Sequence, residues 1–217
     1  MSAREQLIRV STVDALVGAL RARMFEGDLA PADRLPEREL TERYGVARHT
    51  VRAALRALAA EGLVVIEPNR GASVARLDRD AVRSLFELRT ALELEAAHLA
   101  LGRNRGKVPR EVRDAVRRLR EVCSAEDPPW AEVGEAHNDV HLALVRAAHS
   151  ERIARAYDTL LGELRLFVIS LRPHWSLERM ARQHEELLEQ LEMDGPQALR
   201  AHLEAGRESV LGGRVRW

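Results

Sequence analysis

The chain lacks most of the features that mark secreted, membrane or hydrolytic proteins. It has one cysteine in 217 residues, Cys123. No intrachain disulfide and no cysteine-based zinc cluster can therefore form. The N-terminus carries no apolar signal segment, and no uninterrupted apolar run approaches the roughly 20 residues of a membrane span. The expected compartment is a reducing cytoplasm. Lysine is nearly absent: every basic residue except Lys107 is arginine. Net charge is absent too, because 34 Lys and Arg balance 34 Asp and Glu. That excludes a polycation holding nucleic acid by bulk charge, so any such binding must come from local groups. There is no H-E-x-x-H, since His184-Glu185 has no second histidine at the required spacing, and there is no Gly-rich phosphate loop or serine elbow. A metallohydrolase fused to another module thus has little to rest on, and the protein is expected not to be an enzyme.

What is present is enough apolar residue (46%) for a real core, at a length that suits two domains. After a loose leader over residues 1–10, Ser11 or Thr12 can cap a helix to about Phe25, with Val13, Leu16, Leu20 and Met24 as its stripe. Gly27 and Pro31 break it. Pro36 suits the first turn of a short helix through Tyr44. Gly45 allows a sharp turn, and a third helix runs from about Ala47 to Glu61, ending at Gly62. Leu63–Ile66 and Ala72–Ala75 read as two strands around the turn Glu67–Gly71. Past a linker at 75–80 only helical periodicity remains, predicting helices over 79–103, 109–125, 130–149, 151–172, 176–193 and 196–212. The breaks fall at 102–109, Asp127-Pro128-Pro129, Pro173 and Asp194-Gly195-Pro196. The expected architecture is mainly α: a winged helix-turn-helix over residues 1–76, followed over 77–217 by an all-α antiparallel bundle of six helices.

Arg48, Arg52 and Arg56 lie four apart and share one face of the third helix, while Val51, Ala54, Leu55 and Leu58 lie on the other. A helix with one face for a small core and one for anions suits the major groove. Arg48 and Arg52 can each grip guanine O6 and N7, and Thr50 can bond a phosphate or touch a thymine methyl. Arg38 is placed to reach phosphate or base. Asn69, Arg70 and Gly71 form a wing tip narrow enough for the minor groove. Arg56 reads as a solvated arginine or at most a phosphate contact.

The stretches LPERELTERYGVARHTVRAALRALAAEGLV and PNRG resemble the winged-helix domain of GntR-type bacterial transcription regulators. The resemblance puts base and phosphate contacts on Arg38, Arg48, His49, Thr50 and Arg52, with the wing at Asn69–Gly71. It implies a homodimer on a pseudo-palindromic DNA operator, acting as a repressor. Ala47 departs from the hydroxyl residue often found there.

In the helical region His137 and His141 sit four apart on one predicted helix, and the turn at Asp194–Pro196 brings His184 and His202 to similar height. Converging imidazoles in a bundle suit a divalent transition metal, zinc foremost, with nickel, manganese or cobalt as alternatives. Four separate core or surface histidines are the plainer reading. The stretches LFELRTALELEAAHLA, HNDVHLALVRAAHSERI and RQHEELLEQLEMDGPQALRAHL resemble the FadR C-terminal (FCD) domain, which implies an effector module. In metal-binding members the first ligand is commonly an acid or Asn, whereas this chain has His137 there. Arg89 and Arg165 lie in or beside apolar stripes and need anionic partners. Those partners are either Glu93, Glu95 or Glu163, or a small carboxylate metabolite. His98, His149 and His174 read as structural or exposed, and Trp130, Trp175 and Trp217 mark no site. Two outputs stay open: regulation by an organic acid at the metal, or direct sensing of the metal.

Overall fold

The computed structural model describes residues 11–171 and 176–211. The expected leader, Pro173, His174, Trp175 and Trp217 lie outside them. The chain divides into two compact units between Ala75 and Arg76. Among the described residues no helix is long and apolar enough to cross a membrane.

The first unit contains α1 (Thr12–Glu26), α2 (Glu37–Tyr44), α3 (Arg48–Ala60), β1 (Val64–Glu67) and β2 (Gly71–Val74). Ser11 caps α1, its hydroxyl accepting from the Asp14 amide at 3.1 Å. Gly45 ends α2 in the left-handed region at φ 62°, which permits the tight turn into α3. Val51, Ala54, Leu55 and Leu58 of α3 bury against Leu16, Leu20 and Met24 of α1. Arg21 and Glu61 clamp the same two helices with a forked pair at 2.7–3.1 Å. β1 and β2 pair antiparallel, Val64 opposite Val74 and Glu67 opposite Gly71, and Arg34 bridges to Ser73 along the outer side of β2. The wing is thereby stitched to the segment entering α2.

The second unit is a bundle: α4 (Arg79–Arg103), α5 (Arg110–Cys123), α6 (Trp130–Ala147), α7 (Glu151–Asp158), α8 (Leu161–Leu171), α9 (Leu177–Asp194) and α10 (Pro196–Leu211). Asp78 caps α4 through the amides of Asp80 and Ala81. The helix expected over 151–172 is two helices. The Thr159 hydroxyl donates back to the Ala156 carbonyl at 2.7 Å, and the Leu160 amide closes on Tyr157 rather than four residues back. Such side-chain competition for helix carbonyls breaks the ladder. α6 packs against α4, α5, α7 and α8, and α10 packs against α4 and α9. Trp130 is structural, its indole N–H donating to the Val168 carbonyl at 3.2 Å.

Candidate nucleic-acid interface and metal centre

In the first unit a cleft of about 610 Å³ opens between Arg38, Arg48 and Arg52 on one side and Asn69, Arg70 and Gly71 on the other. All six residues are exposed, as is His49 on the first turn of α3. Thr50 is the exception. It is 7% exposed because it falls on the same side of α3 as Val51 and Ala54. Ala47, the residue before α3, offers the helix no side-chain cap. Two residues that periodicity did not single out organise the cleft. Glu37, on the first turn of α2, accepts from Arg48 Nε at 2.6 Å and from Arg52 Nε at 2.8 Å. The guanidinium groups of Arg52 and Arg48 hold its carboxyl below the usual range. Arg34 donates to the Arg70 carbonyl and fastens the wing tip. Both links join residues distant in sequence, so no local spacing announces them.

In the second unit four histidines meet where α6, α9 and α10 converge. Ring centroids are 5.2 Å apart for His137–His141, 4.8 Å for His137–His184 and 4.6 Å for His184–His202. Ligand atoms of His137, His141 and His184 all lie within 4.8 Å of one another, and these three residues are buried. The hydrogen bonds decide which nitrogens carry protons. His184 Nδ1 faces the Met180 carbonyl at 2.8 Å, and a carbonyl can only accept, so Nδ1 donates. His141 Nδ1 faces the Glu93 carboxylate at 2.9 Å and donates likewise. Both neutral rings then present bare Nε2 lone pairs, and these face each other at 3.3 Å. Two facing acceptors repel unless a cation lies beside both. For nitrogens bound at 2.0–2.1 Å, a tetrahedral edge is about 3.3 Å. The donor set fits a divalent transition metal, and carbonyl and carboxylate partners behind the ligands are what orient such rings.

Glu93 itself is fully buried. Its Oε1 accepts from Arg89 Nε at 2.7 Å and from the Tyr157 hydroxyl at 2.6 Å. Arg89 therefore has Glu93, one of the three glutamates considered for it, as a partner, yet among the described residues its buried Nη2 has no acceptor. Arg89 also lines a small cavity shared with Phe86, His137, His141, Phe167 and His202. Arg165 is elsewhere: 31% exposed, 3.9 Å from Glu135, and outside the cavity lining among the described residues. It follows α8 to the outside of the bundle, where its apolar neighbours Leu164 and Phe167 turn inward. His98 and His149 are exposed. Tyr157 was not legible as a site residue, since a lone tyrosine on a short helix carries no pattern.

Burial holds the imidazoles of His137 and His141 well below the ordinary histidine range and brings His184 down to about 4. Neutral rings are the form that binds metal. Below about pH 6.5 the unfolded chain takes up protons that the folded metal-free chain refuses, so stability falls as pH drops. Between pH 7 and pH 5 His184 alone accounts for about 2 kcal/mol of this loss. Urea midpoints of chelator-treated protein should fall steadily across that interval, and a flat profile would contradict neutral burial.

Residues 12–74 match the family of bacterial regulatory proteins called gntR, and residues 84–206 match the FCD domain. The chain is 33% identical over 144 residues to the HTH-type transcriptional regulator BphR of Paraburkholderia xenovorans (strain LB400), a match spanning 64% of this chain and 59% of BphR. It is 25% identical over 171 residues to the HTH-type transcriptional repressor GlaR of Escherichia coli (strain K12), covering 77% and 78% of the two chains. Its fold follows that of a GntR transcriptional regulator from Rhodococcus sp. RHA1 at a TM-score of 0.75, with 24% identity over 94% of this chain and 99% of that one. A winged helix with its reading face open, followed by a helical unit of the FCD kind, identifies the chain as a member of the GntR family of bacterial transcription regulators, a DNA-binding and non-enzymatic family.

Proposed function

We propose that the protein is a cytoplasmic, homodimeric repressor whose operator affinity is set by a small carboxylate bound at a metal in the helical unit. In this reading residues 1–76 bind DNA and residues 77–217 bind the effector. Arg38, Arg48, His49 and Arg52 meet the major groove and its phosphates, Thr50 adds at most a thymine or phosphate contact at the edge, and Asn69, Arg70 and Gly71 enter the minor groove. Two copies present two such heads to a pseudo-palindromic operator. His137, His141 and His184 hold the metal with His202 beside them, and an all-imidazole set favours zinc, nickel or cobalt over magnesium or calcium. The metal would supply a Lewis-acid anchor for an anion. The observation that carries the effector assignment is Arg89 Nη2, a buried donor with no acceptor among the described residues, on the wall of the histidine cavity. A charged donor stranded in a dry interior is costly, and a carboxylate oxygen relieves it. Arg165 has no such claim from its position. Repression follows the similarity to GlaR, a transcriptional repressor.

Direct sensing of the metal is the second reading, and one observation favours it: the cavity beside the histidines has a free volume of only about 10 Å³. That is room for about one water unless the walls move.

One experiment separates the two. Protein is stripped of metal, reloaded with zinc, and titrated onto a duplex selected from a random library by the native protein, with and without a panel of small carboxylates. An acid that shifts DNA affinity only in the loaded protein, with the effect lost in Arg89→Gln, supports the effector reading. A shift from zinc alone, with no acid acting further, supports the metal sensor. No shift from either removes both.

A further inference from the structure

We infer that Glu37 is a specificity-determining residue: it aims Arg48 and Arg52 at base edges and penalises docking that reads phosphates alone. This rests on the reading that these two arginines meet the bases. A carboxylate is out of place in a cleft for a polyanion, and its position demands a reason. Arg48 and Arg52 stand one helical turn apart on α3, and both hand their Nε to the one carboxylate of α2, at 2.6 Å and 2.8 Å. With Nε engaged, each guanidinium is left with its Nη1 and Nη2 end, the fork that spans guanine O6 and N7. The side chains of Arg48 and Arg52 are 69% and 52% exposed, so packing against the core does little to hold their rotamers. Their tether is the carboxylate, which is itself only 28% exposed and sits on the first turn of a helix. Ordering both forks before contact removes entropy otherwise lost on docking. The same negative charge repels phosphate, and acceptors on a base edge that engage the two forks offset that repulsion. Discrimination is a difference of affinities, and a repulsive element raises it as surely as an attractive one.

The test uses the full-length protein with a duplex selected from a random library and a base-scrambled duplex of equal length, by anisotropy over a salt series. For Glu37→Gln, which keeps shape and loses charge, affinity for the scrambled duplex should rise a few-fold while affinity for the selected duplex falls. The ratio between them should drop by at least about tenfold. Glu37→Asp keeps the charge on a shorter arm that cannot reach both arginines, so it should lose discrimination without gaining affinity for scrambled DNA. A purely structural role would instead weaken both duplexes together and lower the melting temperature. Unchanged discrimination in both variants overturns the inference. Arg52→Ala is measured alongside: if it also leaves discrimination unchanged, the arginine reading itself has failed, whereas if it alone lowers the ratio, the reading stands and the role given to Glu37 is wrong.

Discussion

Replacing His141 and His184 together with alanine should abolish zinc binding to the purified protein, from one equivalent to none by elemental analysis. The two rings come from α6 and α9, elements far apart in sequence, and their Nε2 atoms stand one tetrahedral edge apart. Each ring is turned that way by a partner that can only accept, the Met180 carbonyl for His184 and the Glu93 carboxylate for His141. Losing both leaves His137 and His202, too few for a tight site. The thermal signature is as sharp as the stoichiometry. Saturating zinc at a thousandfold over its dissociation constant adds about 4 kcal/mol to the stability of the native chain, through preferential binding to the folded state. The double variant should gain nothing. Retention of an equivalent of zinc, or an undiminished zinc-dependent rise in melting temperature, would place the metal elsewhere. The substitutions also remove two buried polar rings, so comparison of the variant with metal-free native protein isolates the metal effect.

Arg52→Ala should weaken binding to a selected operator by ~1–3 kcal/mol, about five- to 150-fold, and relax the preference at one base position in each half-site. The residue is half exposed and, among the described residues, pairs with Glu37, so folding should be little disturbed. Arg56, one turn further along α3 and also exposed, is the internal control. Its alanine variant should lose at most a phosphate contact, with a uniform effect across sequences and a shallower salt slope. Base-by-base competition titrations read both outcomes. Equal, sequence-independent losses for the two variants would demote Arg52 to a phosphate contact.

The parts of the molecule that sequence periodicity revealed are those whose partners lie within a turn or two. The inward stripe Val51, Ala54, Leu55 and Leu58 and the outward arginines of α3 follow from a 3.6-residue repeat. Gly45 and Gly195, both at positive φ, mark helix ends that sequence punctuation could locate. His137 with His141 was legible as a pair on one face, and His184 with His202 as a pair across a tight hairpin. Their meeting was harder to foresee, because it depends on α9 and α10 packing beside α6. Links across the fold were silent: Glu37 to Arg48 and Arg52, Arg34 to the wing, Tyr157 to Glu93. Thr50 has the composition of a groove contact and the register of a core residue, and register decided its burial. Arg89 and Arg165 had the same apolar neighbourhood in sequence. Arg89 turned inward because Glu93, four residues on along α4, could neutralise it in the interior. Arg165 met its nearest acid, Glu135, at the rim.

Glu93 decides where the proton sits on a neighbouring ring. Its two oxygens accept hydrogen bonds from a guanidinium, a phenol and an imidazole, carried by α4, α7 and α6. The near-isosteric amide would keep its oxygen for the guanidinium and the phenol and turn its N–H toward the imidazole, which can meet it only by shifting its own proton to Nε2. Asp would fall short by a methylene. Exchanging the acid for the amide therefore leaves the cluster bonded but moves the imidazole's proton to the nitrogen that faces His184, and the ring gives up its outward lone pair.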